Sequence, residues 1–362
     1  MKYDTILDYI EWMKDFPISG NGFTEVDAVV LSLITYFDMD VMFRDDSEVY
    51  LRDCRKMIDS GELCVEIVGK DAGYREVLEA AVGSNRYGSL RMSDYVDVHR
   101  EDPPLQFAAI TFHDEDISFV SYRGTDGTLA GWREDFIVSF TRSDAQELAL
   151  KYAQDVIKPG RRYIVGGHSK GGNLALYAAS LIDSERFDAI ERIYNLDGPG
   201  LCSDVIDMDT VNYIADKTTC IGPEFDLFGS IFGMNIPDTR IVKSSYSGFW
   251  QHNAVSWYID HGHLAYSQNY NPVSKWLCGF VGRWIASISV EDRIVFVNEL
   301  FDSLGAGGAK TLKELTSEDA EGRKQIRTAL QNTGDTTKHI IFDLTRQALF
   351  QNLVAINKKK DE

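Results

Sequence analysis

Short runs of apolar, β-branched and aromatic residues alternate with amphipathic segments from about residue 95 to residue 263. This alternation predicts an α/β fold, in which a mostly parallel sheet of about eight strands is covered by helices on both faces. The polar segment 113–116 separates the first two runs and predicts an antiparallel hairpin at the start of the sheet. The runs that we interpret as strands are QFAAITFH, ISFVSYRG, RYIVGG, ERIYNL, TTCIG and RIVKSS.

The two flanks of this region have a helical pattern. On the N-terminal side, which extends to about Asp94, residues 24–27 precede an apolar run and predict a capping box at the start of a helix. On the C-terminal side, intervals of four residues separate Trp276, Phe280 and Trp284, as in a helical packing face. We therefore predict a sheet domain over residues 1–270, including the N-terminal helices, and a helical C-terminal extension over residues 271–362 packed on it.

Composition and charge limit the kinds of molecule that this chain is expected to bind. Hydrophobic residues make up 44% of the chain, which is sufficient for a sizeable core. The 37 basic residues are outnumbered by 56 acidic ones, and the net charge is −19. This excess opposes binding to phosphate backbones and anionic lipid headgroups. We therefore expect no nucleic-acid partner, and the oligomeric state stays open.

The N-terminal segment and the cysteines provide evidence on the cellular location of the protein. Charges interrupt residues 1–16, where a signal peptide would need a continuous apolar run. The most apolar segment, residues 28–37, is too short to span a bilayer, so we expect no transmembrane segment. The five cysteines are an odd number without CxxC spacing, which favours reduced thiols over a disulfide frame or a zinc site. We expect a cytoplasmic protein.

The segment 167–171, GHSKG, carries the strongest chemical signal because it fits the pattern G-x-S-x-G. It follows the β-branched and aromatic run RYIV and precedes a small-residue helical segment, which is the strand–turn–helix context of a nucleophile elbow. Such a turn exposes the serine hydroxyl and leaves no space for side chains at Gly167 and Gly171. We therefore predict Ser169 as a nucleophile, with the amide of Lys170 donating to an oxyanion.

A second segment, SYRGTD at residues 121–126, ends a predicted strand and is followed by Trp132 and Asp135. It closely resembles the F-R-G-T oxyanion stretch of class-3 (fungal-type) lipases, in which Trp and Asp follow in the same way. Together with GHSKGG, it makes the central part of the chain resemble a class-3 lipase-like α/β-hydrolase. The resemblance implies an α/β-hydrolase fold, with Thr125 and Lys170 as oxyanion-hole residues and His252 as the base.

Two further stretches, NLDGPG and VKSSYSGFWQHNAVSW, make the resemblance narrower. They resemble a bacterial branch of that superfamily that is known mainly as uncharacterised proteins. The resemblance extends over about residues 23–258, and no motif in the helical C-terminal part contributes to it.

Other histidines compete with His252 for the role of base. His168 is next to the nucleophile, and its side chain is expected to point away from Ser169. His261 and His263 come about ten residues after His252 and also suggest a metal site. No further ligands cluster around them, whereas metal sites need three or four, so we predict surface polar residues there and neither a metal nor another cofactor.

Three residues are candidates for the acid that would complete a Ser–His–acid triad with Ser169 and His252. Its task is to hold the imidazole tautomer and to stabilise the imidazolium. Asp226 and Glu224 follow the predicted strand TTCIG, where the acid of this fold is usually found, and Asp226 is the leading candidate. Asp197 ends the preceding predicted strand, from which some hydrolases recruit their acid, although it also fits a turn before Gly198.

These residues together predict a serine hydrolase. The resemblance implies small-molecule or lipid esters, either carboxylic esters or acylglycerols, as substrates and an acyl-enzyme on Ser169. Two alternatives stay open, namely a catalytically silent binding module and an acyltransferase or thioesterase that uses the same site. The glycines of GGHSKGG lack the G-x-x-x-x-G-K-[ST] spacing of a nucleotide-binding loop.

Overall fold

The computed structural model describes residues 3–65, 67, 73–100, 105–138, 140–226, 236–276, 279, 287–311, 314 and 320–339. The described strands are β1 (Glu48–Tyr50), β2 (Arg91–Arg100), β3 (Leu105–His113), β4 (Ile117–Tyr122), β5 (Arg162–His168), β6 (Ile190–Leu196), β7 (Thr218–Pro223), β8 (Asp238–Val242), β9 (Ile259–Asp260), β10 (His263–Leu264) and β11 (Tyr266–Ser267). The described α-helices are α1 (Ile6–Met13), α2 (Ile18–Asn21), α3 (Glu25–Ile34), α4 (Cys54–Ser60), α5 (Gly73–Gly83), α6 (Asn85–Gly88), α7 (Leu129–Val138), α8 (Asp144–Val156), α9 (Lys170–Leu181), α10 (Ser184–Ala189), α11 (Met208–Ile214), α12 (Val290–Gly305) and α13 (Ala320–Gln331).

Within these ranges, one sheet of nine strands organises the molecule, in the order β1-β2-β3-β4-β5-β6-β7-β8-β11. Neighbouring strands are parallel from β4 to β8. They are antiparallel at both ends of the sheet. β3 and β4 form the predicted hairpin, in which Phe112 lies opposite Phe119. The parallel centre and its helical cover confirm the predicted fold class.

Both faces of the sheet are buried because successive residues of a strand point to opposite sides. On β4 and β5, Phe119 and Ile164 pack in one apolar cluster with α1, α3 and α5. The next residues along these strands, Val120 and Val165, pack in a second cluster with α8 and α9. Strands that are buried on both faces have continuous apolar sequences, and these runs are therefore recognisable in the sequence.

β2 lies where the sequence indicated the end of a helical region near Asp94. Its register with β3 shifts between Ser93 and Val96, and Asp94 has a φ of +55° at this irregularity. Most of β2 is half-buried or exposed, and its sequence mixes charged with apolar residues. Pairing with β3 defines this strand more than side-chain burial does, so its apolar periodicity is weak.

α3 packs in the core against one face of the sheet, and all of its residues are buried. The predicted capping box is confirmed, because Thr24 and Asp27 exchange side-chain-to-amide hydrogen bonds at its start. The carboxylate of Asp27 also forms a fully buried ion pair with Arg86 at 2.5 Å and accepts the hydroxyl of Tyr87 at 2.7 Å. A buried charge is tolerated only when it is paired and hydrogen-bonded, so this network fixes α3 against α6.

α12 packs on α7 through an apolar cluster that contains Leu129, Trp132, Phe296 and Phe301. The backbone amide of Leu129 also donates to the carbonyl of Lys310 at 2.7 Å. The start of α7, which follows the segment SYRGTD, is thus held by residues of the predicted C-terminal extension.

Two residues of the predicted packing face, Phe280 and Trp284, lie outside the described residues, and so does Cys278, one of the five cysteines. Among the helices in the described ranges, none combines the length and the apolarity that a membrane crossing requires.

Candidate active site

A tight turn joins β5 to α9 and places Ser169 between them, as predicted for an elbow. Ser169 has φ +59° and ψ −132°, a conformation that non-glycine residues rarely adopt. Its backbone amide donates to the carbonyl of Leu196 at the end of β6, at 2.9 Å. The turn is therefore anchored to the neighbouring strand while its backbone is strained.

The glycines of the elbow allow strand and helix to approach each other closely. A Cβ atom on Gly167 would lie 2.5 Å from the carbonyl oxygen of Tyr122, and one on Gly171 would lie 2.1 Å from the same atom. Both distances are far below van der Waals contact, so these positions exclude side chains. The end of β4, where the segment SYRGTD begins, thus lies directly against the elbow.

His252 ends a short 3₁₀ turn, Gly248–His252, that follows β8. Its Nε2 atom lies 3.0 Å from Oγ of Ser169. The indole nitrogen of Trp257 donates to the carbonyl of Gln251 at 2.9 Å and holds the preceding residue in place. The structure thus brings together the predicted nucleophile and the predicted base at hydrogen-bond distance.

The other ring nitrogen of His252, Nδ1, lies 2.6 Å from Oδ2 of Asp197. Asp197 follows β6 with a φ of +52°, and its amide donates to the carbonyl of Ile221 on β7 at 2.7 Å. The turn after it is closed by two hydrogen bonds between the side chain of Asn195 and the backbone of Gly198, each 2.9 Å. The carboxylate is therefore presented by a rigid turn.

Asp226, the leading sequence candidate for the acid, occupies a different place. It is buried beyond the end of β7. A Cβ atom on Gly222 would lie 2.8 Å from Oδ2 of Asp226 and 3.5 Å from Oδ1 of Asp197, so the two carboxyl groups lie on the same side of this glycine. Both ring nitrogens of His252 already contact Ser169 and Asp197. Asp197 is therefore the carboxylate that contacts the imidazole of His252, and Asp226 lies nearby as a second carboxyl group.

Glu224, the third candidate, joins the loops around the site through its backbone. Its amide donates to the carbonyl of Val242, and its carbonyl accepts the amide of Asn271 at 2.6 Å. These contacts connect the ends of β7 and β8 with the residues that precede the C-terminal helices.

The two predicted oxyanion residues, Thr125 and Lys170, are buried next to the elbow. The hydroxyl of Thr125 donates to the carboxylate of Asp135 on α7. Lys170 is the first residue of α9, so its amide has no partner within the helix. Within the described part of the chain, neither amide donates to a backbone carbonyl. The side chain of Thr125 is therefore an anchor for its loop, and its backbone amide is the available donor.

A family model described as Mbeg1-like matches residues 81–302, more than half of the chain. The chain belongs to the Mbeg1-like family. No curated protein matches it. Among solved structures, the one titled "Crystal structure of M37 lipase" is similar to this Mbeg1-like chain with 15% identity and a TM-score of 0.35, over 56% of this chain and 68% of that chain.

The side chain of Lys170 forms buried contacts that the sequence did not indicate. Its Nζ atom donates to the carbonyl of Gln106 at 2.8 Å and to the carboxylate of Glu134 at 3.1 Å. Lys170 is only 1% exposed, so its charge is compensated inside the protein. The contact to Glu134 on α7 ties the elbow to the helix that follows Thr125.

His261 and His263, the two later candidates for the base, have carboxylate partners other than those of the site. The side chain of His261 is 92% exposed and pairs with Asp260, and His263 pairs with Glu25 at 3.1 Å. In the described ranges of this Mbeg1-like chain, no group of three or more His, Cys, Asp or Glu side chains is arranged to hold a metal ion. Ser169, His252 and Asp197 are each less than 7% exposed, so the serine that the elbow was expected to expose is buried in this structure. Exclusion of water strengthens the electrostatic interactions between the three side chains.

Proposed function

We propose that this chain is a serine hydrolase that cleaves carboxylic esters through an acyl-enzyme on Ser169. The observation that carries the proposal is the continuous line from Asp197 through His252 to Ser169, with contacts of 2.6 and 3.0 Å. A serine hydroxyl becomes an effective nucleophile when a base takes its proton and a third group orients that base. Each of these groups has its partner within hydrogen-bond reach here.

In the first half-reaction, the hydroxyl proton of Ser169 passes to Nε2 of His252 while Oγ forms a bond to the ester carbonyl carbon. The Nδ1–H group of the imidazolium remains hydrogen-bonded to the carboxylate of Asp197. The carbonyl oxygen becomes an oxyanion, to which the amides of Thr125 and Lys170 donate. The bond from carbon to the alcohol oxygen then breaks, and the alcohol leaves with the proton from Nε2.

In the second half-reaction, water attacks the acyl carbon and gives one proton to Nε2 of His252. The bond between the acyl carbon and Oγ of Ser169 then breaks, and Oγ recovers the proton. The carboxylic acid leaves, and the resting enzyme is restored. Loss of a single oxyanion donor in such enzymes lowers kcat by about a hundredfold or more, so fixed amide donors are a large part of the expected rate.

The substrate class rests on the resemblance to class-3 lipases, which implies carboxylic esters or acylglycerols. Membership of a bacterial branch and a cytoplasmic location remain predictions from the sequence. The fold itself is shared by enzymes of many specificities and does not define the acyl group.

The test is covalent labelling of Ser169 with a fluorophosphonate probe, combined with hydrolysis of p-nitrophenyl butyrate. The wild-type chain should label with one probe per protein and release p-nitrophenol, whereas Ser169→Ala and His252→Ala should lose both reactions. Ser180→Ala on α9 and His261→Ala at an exposed position are matched controls that should retain both. Labelling that persists in Ser169→Ala would overturn the assignment of the nucleophile.

Two other outcomes would replace the proposal. A folded wild-type chain that neither labels nor hydrolyses would be a silent binding module. A chain that labels at Ser169, but forms amide or ester products with an added acceptor faster than free acid, would be an acyltransferase. Comparison of p-nitrophenyl butyrate with a butyryl thioester of matched chain length would distinguish an esterase from a thioesterase.

A further inference from the structure

Tyr36, His168 and His252 form a buried chain of hydrogen bonds next to the proposed triad. Nε2 of His168 lies 2.8 Å from the backbone carbonyl oxygen of His252. Nδ1 of His168 lies 2.8 Å from the hydroxyl of Tyr36. His168 and Tyr36 are both buried, so these contacts form in the interior of the protein.

The direction of each hydrogen bond follows from the chemistry of the partners. A carbonyl oxygen only accepts, so Nε2 of His168 carries a hydrogen. In a neutral His168 this leaves a lone pair on Nδ1, to which the hydroxyl of Tyr36 donates. Burial raises the pKa of Tyr36 well above its usual value, so the hydroxyl keeps its proton. The contacts on both sides thus match the Nε2–H tautomer of a neutral imidazole.

The loop that carries the base is held at two consecutive carbonyl groups. Trp257 donates to the carbonyl of Gln251 at 2.9 Å, and His168 donates to that of His252 at 2.8 Å. The rings of His168 and His252 are close neighbours, with centroids 4.8 Å apart. Because the imidazole of His252 extends from this backbone, a shift of its carbonyl changes the distance between Nε2 and Oγ of Ser169.

Tyr36 also touches the segment that precedes Thr125. A Cβ atom on Gly124 would lie 2.0 Å from the hydroxyl oxygen of Tyr36 and 2.4 Å from the carbonyl oxygen of His168. The backbone of Gly124 therefore lies directly against both groups. Tyr36 comes just after α3, outside the residues 81–302 that the family model matches, so a part of the chain beyond that match contributes to the site.

We propose that His168 is a positioning residue for the base His252, and that Tyr36 acts through His168 by fixing its tautomer. This inference rests on the proposed function. The opposite tautomer of His168 would direct a lone pair at the carbonyl of His252 and remove the anchor. Misplacement of a reacting group by about 1 Å can lower a rate by about a hundredfold, so the anchor bears directly on turnover.

Two amide substitutions of His168 separate the anchor from general packing. His168→Gln puts an N–H group near the former Nε2 position, from which it still donates to the carbonyl of His252. His168→Asn puts its amide near the former Nδ1 position, from which it reaches Tyr36 but not that carbonyl. We expect His168→Gln to keep kcat for p-nitrophenyl butyrate within about threefold, and His168→Asn to lower kcat by about tenfold or more at similar KM. Equal kcat in the two variants would overturn the proposal.

Tyr36→Phe provides a second test if His168→Asn does not fold. The hydroxyl is lost while the ring remains, so the tautomer of His168 is no longer fixed and kcat should fall at similar KM. In the His168→Gln background the same change should have little effect, because an amide has no tautomers. A loss of kcat that is equal in both backgrounds would mean that Tyr36 acts by packing alone, which contradicts the proposal.

Imidazole ¹⁵N NMR of the full chain reads the tautomer without any need for turnover. The proposal expects a neutral Nε2–H tautomer for His168 in the wild type at neutral pH and a mixture of tautomers in Tyr36→Phe. A wild-type His168 that carries its hydrogen on Nδ1 alone would overturn the anchor, and a protonated His168 would overturn the role of Tyr36 in fixing the tautomer. A wild type that resists the fluorophosphonate probe would overturn the proposed function instead, and the NMR result would still decide whether the anchor exists.

Discussion

Oδ2 of Asp197 lies 2.6 Å from Nδ1 of His252, although 55 residues separate the two positions in the chain. The contact forms because β6 is the direct neighbour of β5, so a turn at the end of β6 lies beside the elbow. Asp226 follows β7, one strand further from Ser169 in the sheet. The acid candidate nearest to the base is thus the one from the adjacent strand.

Asp197→Asn should lower kcat far more than Asp226→Asn. The amide preserves the volume of the side chain but stabilises the wrong tautomer of His252, and the equivalent change in serine proteases lowers kcat by about 10⁴-fold. Steady-state hydrolysis of p-nitrophenyl butyrate by the two variants provides the measurement. Since both carboxyl groups are buried, each variant controls for the effect of the other on folding. A larger loss in Asp226→Asn would transfer the role of the acid to Asp226.

Thr125→Val should lower kcat by about tenfold, with KM little changed, because the anchor between Thr125 and Asp135 is removed while the amide donor remains. Thr125→Ser retains the hydroxyl and should stay close to the wild type. Kinetics should be combined with thermal unfolding of both variants. If Thr125→Val is fully active, the hydrogen bond to Asp135 does not position the amide.

Ser169→Gly should yield a more stable protein than Ser169→Ala, although both lose the hydroxyl. Glycine tolerates the observed backbone conformation, whereas alanine retains its strain, so we expect a difference of about 1 kcal/mol in the free energy of unfolding. Urea denaturation measures the difference. The same pair of substitutions at Ser180, within α9, should show the opposite order because glycine destabilises a helix. Equal stabilities at position 169 would mean that the turn is not strained.

His113 should make the stability of the fold sensitive to acid. Burial, and to a smaller extent Arg91 and Arg161, lowers the pKa of His113 from 6.5 to about 4. The unfolded chain therefore binds a proton at His113 before the folded chain does, and the stability present above pH 6.5 is lost as the pH falls towards 4. Urea denaturation between pH 7 and pH 4.5 should show a steeper loss in the wild type than in His113→Gln. His261→Gln, at an exposed position, should follow the wild type, and parallel curves for all three proteins would contradict the pKa shift.

Local features of the site could be predicted from the sequence, whereas features that depend on distant contacts could not. The elbow was predictable because strand, glycines and helix are adjacent in the chain, and the same is true of the hairpin of β3 and β4. The choice between Asp197 and Asp226 depends on the order of strands in the sheet, which the runs of apolar residues do not contain. β2 was missed because its pairing with β3, and not an apolar pattern, makes it a strand.

The environment of His168 illustrates the same distinction. Its position next to Ser169 gives no information about the direction of its ring. That direction is set by Tyr36, 132 residues away, and by the carbonyl of His252, 84 residues away. The packing of α3 against the sheet brings Tyr36 to His168, and the turn after β8 brings the carbonyl of His252.

The attachment of α7 to the C-terminal helices has a consequence for any attempt to isolate a minimal catalytic fragment. The helix is clamped at its beginning by Lys310 and along its side by Phe296 and Phe301. A protein shortened to residues 1–270 would keep Ser169, His252 and Asp197 but would leave Leu129 and Trp132 open to water. We expect such a fragment to retain the proposed triad and to lose the geometry of the proposed oxyanion donors. The proposed activity would then require residues of the C-terminal helices as well as the reacting residues.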